Sequence, residues 1–133
     1  MPCSQPPWGA LAAIDLSTNR VLWNVPLGTG HDSGPMGIPS MLPLTMGMPS
    51  FGGTVTTRSG LVFISGTMDR YVRAIDLRTG RELWKSRLPA GGQATPMTYS
   101  AGGRQYIVVT AGGHSILGAK FGDYTIAYAL PAR

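Results

Sequence analysis

Ala13-Ile14-Asp15-Leu16-Ser17-Thr18-Asn19-Arg20-Val21-Leu22-Trp23 returns 61 residues later as Ala74-Ile75-Asp76-Leu77-Arg78-Thr79-Gly80-Arg81-Glu82-Leu83-Trp84, with eight of the eleven positions identical. Self-similarity at such a spacing marks a repeat architecture, in which each unit buries its apolar surface only against its neighbours. The phrase reads as strand, turn, strand. Its first strand runs from Ala10 to Asp15, and from Tyr71 to Asp76 in the second copy. Asp15 and Asp76 are turn formers, because an Asp carboxylate bonds the backbone two residues on. Asn19 and Gly80 tolerate the left-handed conformation that closes a tight hairpin. The return strand, Arg81 to Ser86, carries an indole. Trp23 and Trp84, in the same place in each unit, predict packing between neighbouring sheets with the indole N–H on a backbone carbonyl.

Outward from the second copy, Gly53 to Thr57 and Leu61 to Ser65 read as strands joined at Arg58-Ser59-Gly60, which completes four antiparallel strands. Such a sheet is one propeller blade. A third unit starts at Ala94 to Tyr99, turns at Ala101-Gly102-Gly103, continues as Gln105 to Thr110 and ends with Tyr124 to Leu130. Apolar residues alternate with period two between dense Gly and Pro, and no helix is expected. The expected fold is all-β: a partial β-propeller of about two and a quarter four-stranded antiparallel blades. The expected layout is an irregular lead-in over 1–7, the end of one blade over 8–28, a Pro/Met-rich loop over 29–50, a complete blade over 51–88 and an incomplete last blade over 89–133. Two and a quarter blades do not close a ring, so the chain reads as the C-terminal part of a larger propeller.

Composition sets limits on function. With 19 Gly and 11 Pro among 133 residues, 43% hydrophobic and 13% charged, the chain is turn-rich but too apolar for disorder. The net charge of +5 includes a cluster of Arg70, Arg73, Arg78, Arg81, Lys85 and Arg87 within one blade. No nucleic-acid motif is present among these cations, and a nucleic-acid partner is not expected. Gly102-Gly103 and Gly112-Gly113 have no helix after them, which excludes a phosphate cradle. A solvated blade face, or one opposite an anionic surface, accounts for the charge. Cys3 is a single thiol and cannot staple the chain. Met1-Pro2-Cys3-Ser4 opens without the basic and apolar regions of a signal peptide, and no membrane span is expected.

Blade topology indicates where a site belongs. The short turns at 16–19, 58–60, 77–80 and 101–103 share one face, and the longer connections at 26–52, 66–70, 87–93 and 111–123 share the other. Long loops on a rigid scaffold are where sites are built. The candidate site residues in them are His31, Asp32, Thr67, Asp69, Arg70, Gln93, His114, Lys120 and Asp123. Asp69 is the leading site residue, with a plain turn cap as its competing role. His31 and Asp32 form a weak acid/base candidate, and two histidines without further ligands do not make a metal site. The Met- and Pro-rich loop from Pro35 to Pro49 reads as an apolar lid packed on its own blades, against a competing role as a docking surface.

Several segments carry a resemblance: Pro7-Trp8-Gly9, the two Trp phrases, Phe51-Gly52-Gly53, Gly60-Leu61-Val62-Phe63-Ile64 and Thr67-Met68-Asp69. Leu88-Pro89-Ala90-Gly91-Gly92-Gln93-Ala94-Thr95-Pro96-Met97-Thr98-Tyr99, Gly112-Gly113-His114 and Gly122-Asp123-Tyr124 follow in order. From about Trp8 to Pro131 the chain resembles the C-terminal end of the membrane-bound quinoprotein dehydrogenases, in the branch of the glucose, quinate and polyol enzymes. The resemblance implies an eight-bladed propeller at the periplasmic face of the inner membrane, behind a membrane anchor that is missing here. It implies pyrroloquinoline quinone (PQQ), a Ca²⁺ or Mg²⁺ ion, a sugar or polyol substrate such as glucose, and ubiquinone as electron acceptor. The substrate gives a hydride to a quinone carbonyl polarised by the cation while a carboxylate takes the hydroxyl proton. Asp69 is carried over as a cofactor-binding residue rather than the base, with Thr67 and His114 beside it. Asp15, Trp23, Asp76, Gly80 and Trp84 are structural repeat positions. No catalytic residue and no metal ligand is expected in this segment, since these belong to earlier blades. The chain alone is therefore expected to be inactive and to need the remaining blades as partner. A non-catalytic propeller fragment, or an assembly module like the outer-membrane scaffold propellers, is the alternative.

Overall fold

A computed structural model of the chain describes residues 4–131. Three separate antiparallel sheets follow one another along the sequence. The first pairs β1 (Ala10–Asp15) with β2 (Arg20–Pro26). The second holds β3 (Thr54–Thr56), β4 (Leu61–Ile64), β5 (Tyr71–Asp76) and β6 (Glu82–Arg87) in sequence order. The third holds β7 (Met97–Ala101), β8 (Arg104–Ala111) and β9 (Tyr124–Ala129). Two, four and three strands make the two and a quarter blades expected from the repeat. One departure from an all-strand reading is a single 3-10 turn at Pro35–Gly37, where Ile38 N–H bonds Pro35 O at 3.1 Å and Met36 takes a φ of 57°. The expectations for Met1 and Cys3 lie outside the described residues.

The repeated phrase folds the same way twice. Ala13 faces Trp23 and Ile14 faces Val21, so the register slips by one residue at Leu22. Ala74 faces Trp84 and Ile75 faces Glu82, which places the same bulge at Leu83. Both turns close through the Asp. Asp15 Oδ1 accepts from the Ser17 amide at 2.8 Å, and Asp76 Oδ1 from the Arg78 and Thr79 amides at 2.8 and 3.0 Å. Hydrogen bonds from Ser17 hold the Asp15 carboxyl below the usual carboxylate range, and the Arg78 amide does the same for Asp76. Asn19 and Gly80 take φ values of 54° and 73°, the left-handed conformation that the turn demands. Gly102 and Gly103, at 55° and 72°, close the β7–β8 hairpin as a two-residue turn.

The core lies between sheets. Leu27, Val62, Ile64 and Ile75 are buried with Leu11, Trp23 and Leu77 packed on them, joining the first sheet to the second. Val72, Leu88, Ala90, Ile107, Val109 and Ala111, with Phe63, Ile126 and Tyr128, join the second to the third. The middle sheet is thus covered on both faces, and β5 buries Val72, Arg73, Ala74 and Ile75 in succession rather than in alternation. Trp23 seals the first seam by donating its indole N–H to Leu77 O at 2.8 Å. Trp84 packs edge-on against Tyr128 across the second, with ring centres 5.2 Å apart. The strand expected from Ala94 begins only at Met97, since Pro96 has no N–H to give a ladder.

Candidate functional site

The connections at 26–52 and 66–70 meet at the seam of the first and second units, where a buried charge network forms. Asp69 lies in the connection between β4 and β5 and is fully buried; Arg73, two residues into β5, is 3% exposed. The Asp69 carboxylate accepts from both Arg73 Nη atoms, at 3.2 Å for Nη1 and closer for Nη2, and from Thr67 Oγ1 at 2.5 Å. From the first unit it accepts the Thr29 amide at 2.7 Å and Thr29 Oγ1 at 3.0 Å. Burial pushes the carboxyl up, but the Arg73 hydrogen bonds and charge, with Thr67 and Thr29, outweigh it and hold Asp69 below the usual carboxylate range. Arg73 Nε also bonds Glu82 on β6 at 3.0 Å, so the guanidinium is saturated between two carboxylates.

A second network lies three residues along the first loop. Asp32 Oδ1 accepts from Arg87 Nη2 at 2.5 Å and Arg70 Nη2 at 3.2 Å, and Arg70 Nε reaches Oδ2 at 3.3 Å. Burial raises the Asp32 carboxyl, and Arg70, His31 and Arg87 together bring it below the usual range. His31 Nδ1 stands 3.1 Å from Asp32 Oδ1 and 3.3 Å from Arg87 Nη1, and one tautomer serves only one of them. A carboxylate committed to two arginines is a poor proton acceptor, so the His31–Asp32 pair is a structural tie and not an acid/base couple.

A third group sits where the second and third units meet. The Phe51 amide donates to Gln93 Oε1 at 3.3 Å, and the Phe51 ring meets His114 edge-on at 5.1 Å. Ser50 bridges Thr67 backbone to backbone, which ties this wall to the Asp69 network. Ser50 Oγ, Gln93 Nε2 and His114 Nδ1 are buried without a partner. Buried polar atoms are paired in nearly all folded proteins, and orphaned ones mark a place that another group completes. The hydrogen-bonding capacity of Thr67 and Asp69 is taken up internally. Open capacity remains at Ser50, Gln93 and His114 along this wall, and at Ser33 Oγ in the first loop.

The remaining sequence candidates are apart from these networks. Lys120 and Asp123 are exposed, and only the Lys120 carbonyl is engaged, by the Gly91 amide. Among the described residues no three of His, Cys, Asp and Glu come together as a metal site, and no helix is long and apolar enough to cross a membrane. The Met-rich loop divides. Met48 is buried, while Met36, 97% exposed, stands out with Ile38, Met41, Leu42 and Leu44, so only its return limb is a packed lid. Arg73 is the residue that the sequence reading misplaced, as one more cation of a solvated face. Its burial had no local signal, because it follows from the covering of both faces of β5. Thr29 had no signal, since nothing local distinguishes it from other loop threonines.

The profile of the PQQ family, described as glucose/ethanol/alcohol dehydrogenase β-propeller domain, matches residues 1–107. The quinoprotein glucose dehydrogenase of Escherichia coli K12 is 52% identical over 131 residues, covering 98% of this chain and 16% of that protein. A probable quinate dehydrogenase (quinone) of Xanthomonas campestris pv. juglandis is 53% identical over 133 residues, covering 98% of this chain and 17% of its own length. Among solved structures, the quinohemoprotein alcohol dehydrogenase of Comamonas testosteroni superposes with a TM-score of 0.58 at 24% identity. The match covers 90% of this chain and 16% of that one, a likeness of fold. The chain spans about a sixth of the length of the relatives it matches.

Proposed function

The chain belongs to the PQQ family of glucose/ethanol/alcohol dehydrogenase β-propellers, and we propose on that premise that it forms one wall of a PQQ site in a larger sugar or polyol dehydrogenase. The observation that carries the reading is the wall of Ser50, Phe51, Gln93 and His114, with three buried polar atoms awaiting partners. PQQ is an ortho-quinone with three carboxylates, so its rim is made of acceptor oxygens. The Gln93 amide N–H and a protonated Nδ1 of His114 are donors suited to such a rim, and the Phe51 ring closes the wall beside them. When bound, PQQ supplies a two-electron acceptor for the hydride of a CH–OH group.

On this reading the residues of this chain orient and exclude; they do not take the substrate proton. Thr67 and Asp69 stand behind the wall, linked to it through the Ser50 bridge, and His114 stands in it. The base and the ligands of a Ca²⁺ or Mg²⁺ ion come from the blades that precede this segment. The parent passes electrons to ubiquinone at the periplasmic face of the inner membrane, and it reaches the membrane through an anchor outside this chain. Glucose and quinate relatives match equally well, so the substrate is a sugar or related polyol without further choice.

The test is complementation. The purified chain is mixed with a relative's glucose dehydrogenase that lacks its last sixth, together with PQQ and Ca²⁺ or Mg²⁺, and dye reduction is followed with glucose and with quinate. Turnover that needs both polypeptides supports the reading. No turnover from a stably formed, PQQ-loaded pair rejects it.

A further inference from the structure

We infer that Asp69 is a positioning residue, which clamps Thr29 of the first unit to Arg73 and Thr67 of the second and thereby sets the wall of Ser50, Phe51, Gln93 and His114 without itself touching the cofactor. The inference rests on the cofactor-wall reading above and assigns the work within it. Five donor contacts converge on one carboxylate: the Thr29 amide and hydroxyl, the Thr67 hydroxyl and both Arg73 Nη atoms. Two carboxylate oxygens offer about four lone-pair directions, so no acceptor position is left for a ligand donor. None of the carboxylate is exposed either. An anion-rich cofactor gains nothing by approaching a second anion that is already neutralised by a buried guanidinium.

The path from the clamp to the wall is short and continuous. Thr67 gives its hydroxyl proton to Asp69, receives Arg73 Nη1 at 2.8 Å on the same oxygen, and pairs its backbone with Ser50. Ser50 is followed by Phe51, whose amide holds Gln93 and whose ring meets His114. On the other side Thr29 pairs with Thr45 within the long loop, and the nearby Asp32 is tied to Arg70 and Arg87. Releasing Asp69 therefore loosens the 29–32 segment and shifts the 50–53 segment.

The experiment compares Asp69→Asn, Thr29→Val and Thr29→Ser in the full chain by amide hydrogen exchange, PQQ titration with Ca²⁺ present, and the absorption maximum of bound PQQ. Asp69→Asn keeps the shape and removes the charge; Thr29→Val removes one donor on the side away from the wall. If the clamp is right, both speed exchange about tenfold at 29–32 and also at 50–53, Thr29→Ser restores the native rates, and PQQ affinity falls in parallel with an unmoved absorption maximum. Exchange at 50–53 that is untouched by Thr29→Val overturns it, as does an absorption maximum displaced by Asp69→Asn alone, which is the sign of direct contact. Should Asp69→Asn fail to fold, the two Thr29 variants still decide. Should the unsubstituted chain bind no PQQ, the wall reading fails for the chain alone, while the exchange arm still supports or rejects the clamp.

Discussion

Arg73 and Asp69 show what a single buried pair is worth. Arg73→Ala would strand an anion in a fully buried site, and removing one member of such a pair costs about 3–5 kcal/mol. That is a large part of the stability of a chain this size. Urea denaturation of Arg73→Ala against Arg73→Lys is expected to show most of the loss in the first and a smaller one in the second. The same carboxylates govern acid behaviour. Asp69 and Asp32 are both held below the usual range, so each contributes stability that is fully present above the unfolded value of about 3.9 and is lost as pH falls through the lower folded value. Thermal midpoints should stay level from pH 7 to about pH 4 on account of these groups and then drop, with a shallower drop in Asp69→Asn. Asp69 was legible in the sequence as a loop-face acid. Its bonds were not, because Thr29 and Arg73 reach it from 40 residues upstream and 4 downstream, and no local pattern reports that meeting.

At the scale of the element, the hairpin with its Trp is the unit that repeats. Gly80 combines a φ of 73° with a position under the Trp23 ring, where an added Cβ would stand 2.8 Å from two ring atoms. Gly80→Ala is expected to cost about 2 kcal/mol or more, from the left-handed backbone and the displaced indole together, readable as a lowered urea midpoint and altered Trp fluorescence. Trp23→Phe keeps the apolar packing but leaves Leu77 O without its donor, and should cost about 1–3 kcal/mol in the same assay. The turn residues, the left-handed positions and the repetition itself were legible, because each depends on chemistry within a few residues. The Met-rich loop was not. Its composition is uniform, yet Met48 packs and Met36 does not, a division made by which limb meets the Gly9 and Leu27 backbone.

The whole molecule carries too much surface for its mass. A folded monomer of 14.0 kDa exposes roughly 6,700 Å² by the usual scaling, and this chain exposes 8313 Å². Much of the excess is apolar: Ile14, Val21 and Leu22 on the first sheet, Met97, Tyr99 and Tyr124 on the third. The two outer sheets each have a face and an edge that a neighbouring blade covers in a closed ring. The isolated chain should therefore self-associate with rising concentration in sedimentation velocity runs, and a complementing set of blades should suppress this; a chain that stays monomeric would argue against open blade faces. By itself the sequence determined the repeat, the strand-turn-strand hairpins, the all-β class and the incomplete ring, since these follow from local turn chemistry and from a phrase said twice. Only the tertiary structure decided that β5 is buried on both faces, that Arg73 is an interior ion and that Asp69 is fully engaged by Thr29, Thr67 and Arg73. Such facts arise where units separated in sequence close on one another, and burial and charge pairing are set there by neighbours that no window of sequence contains.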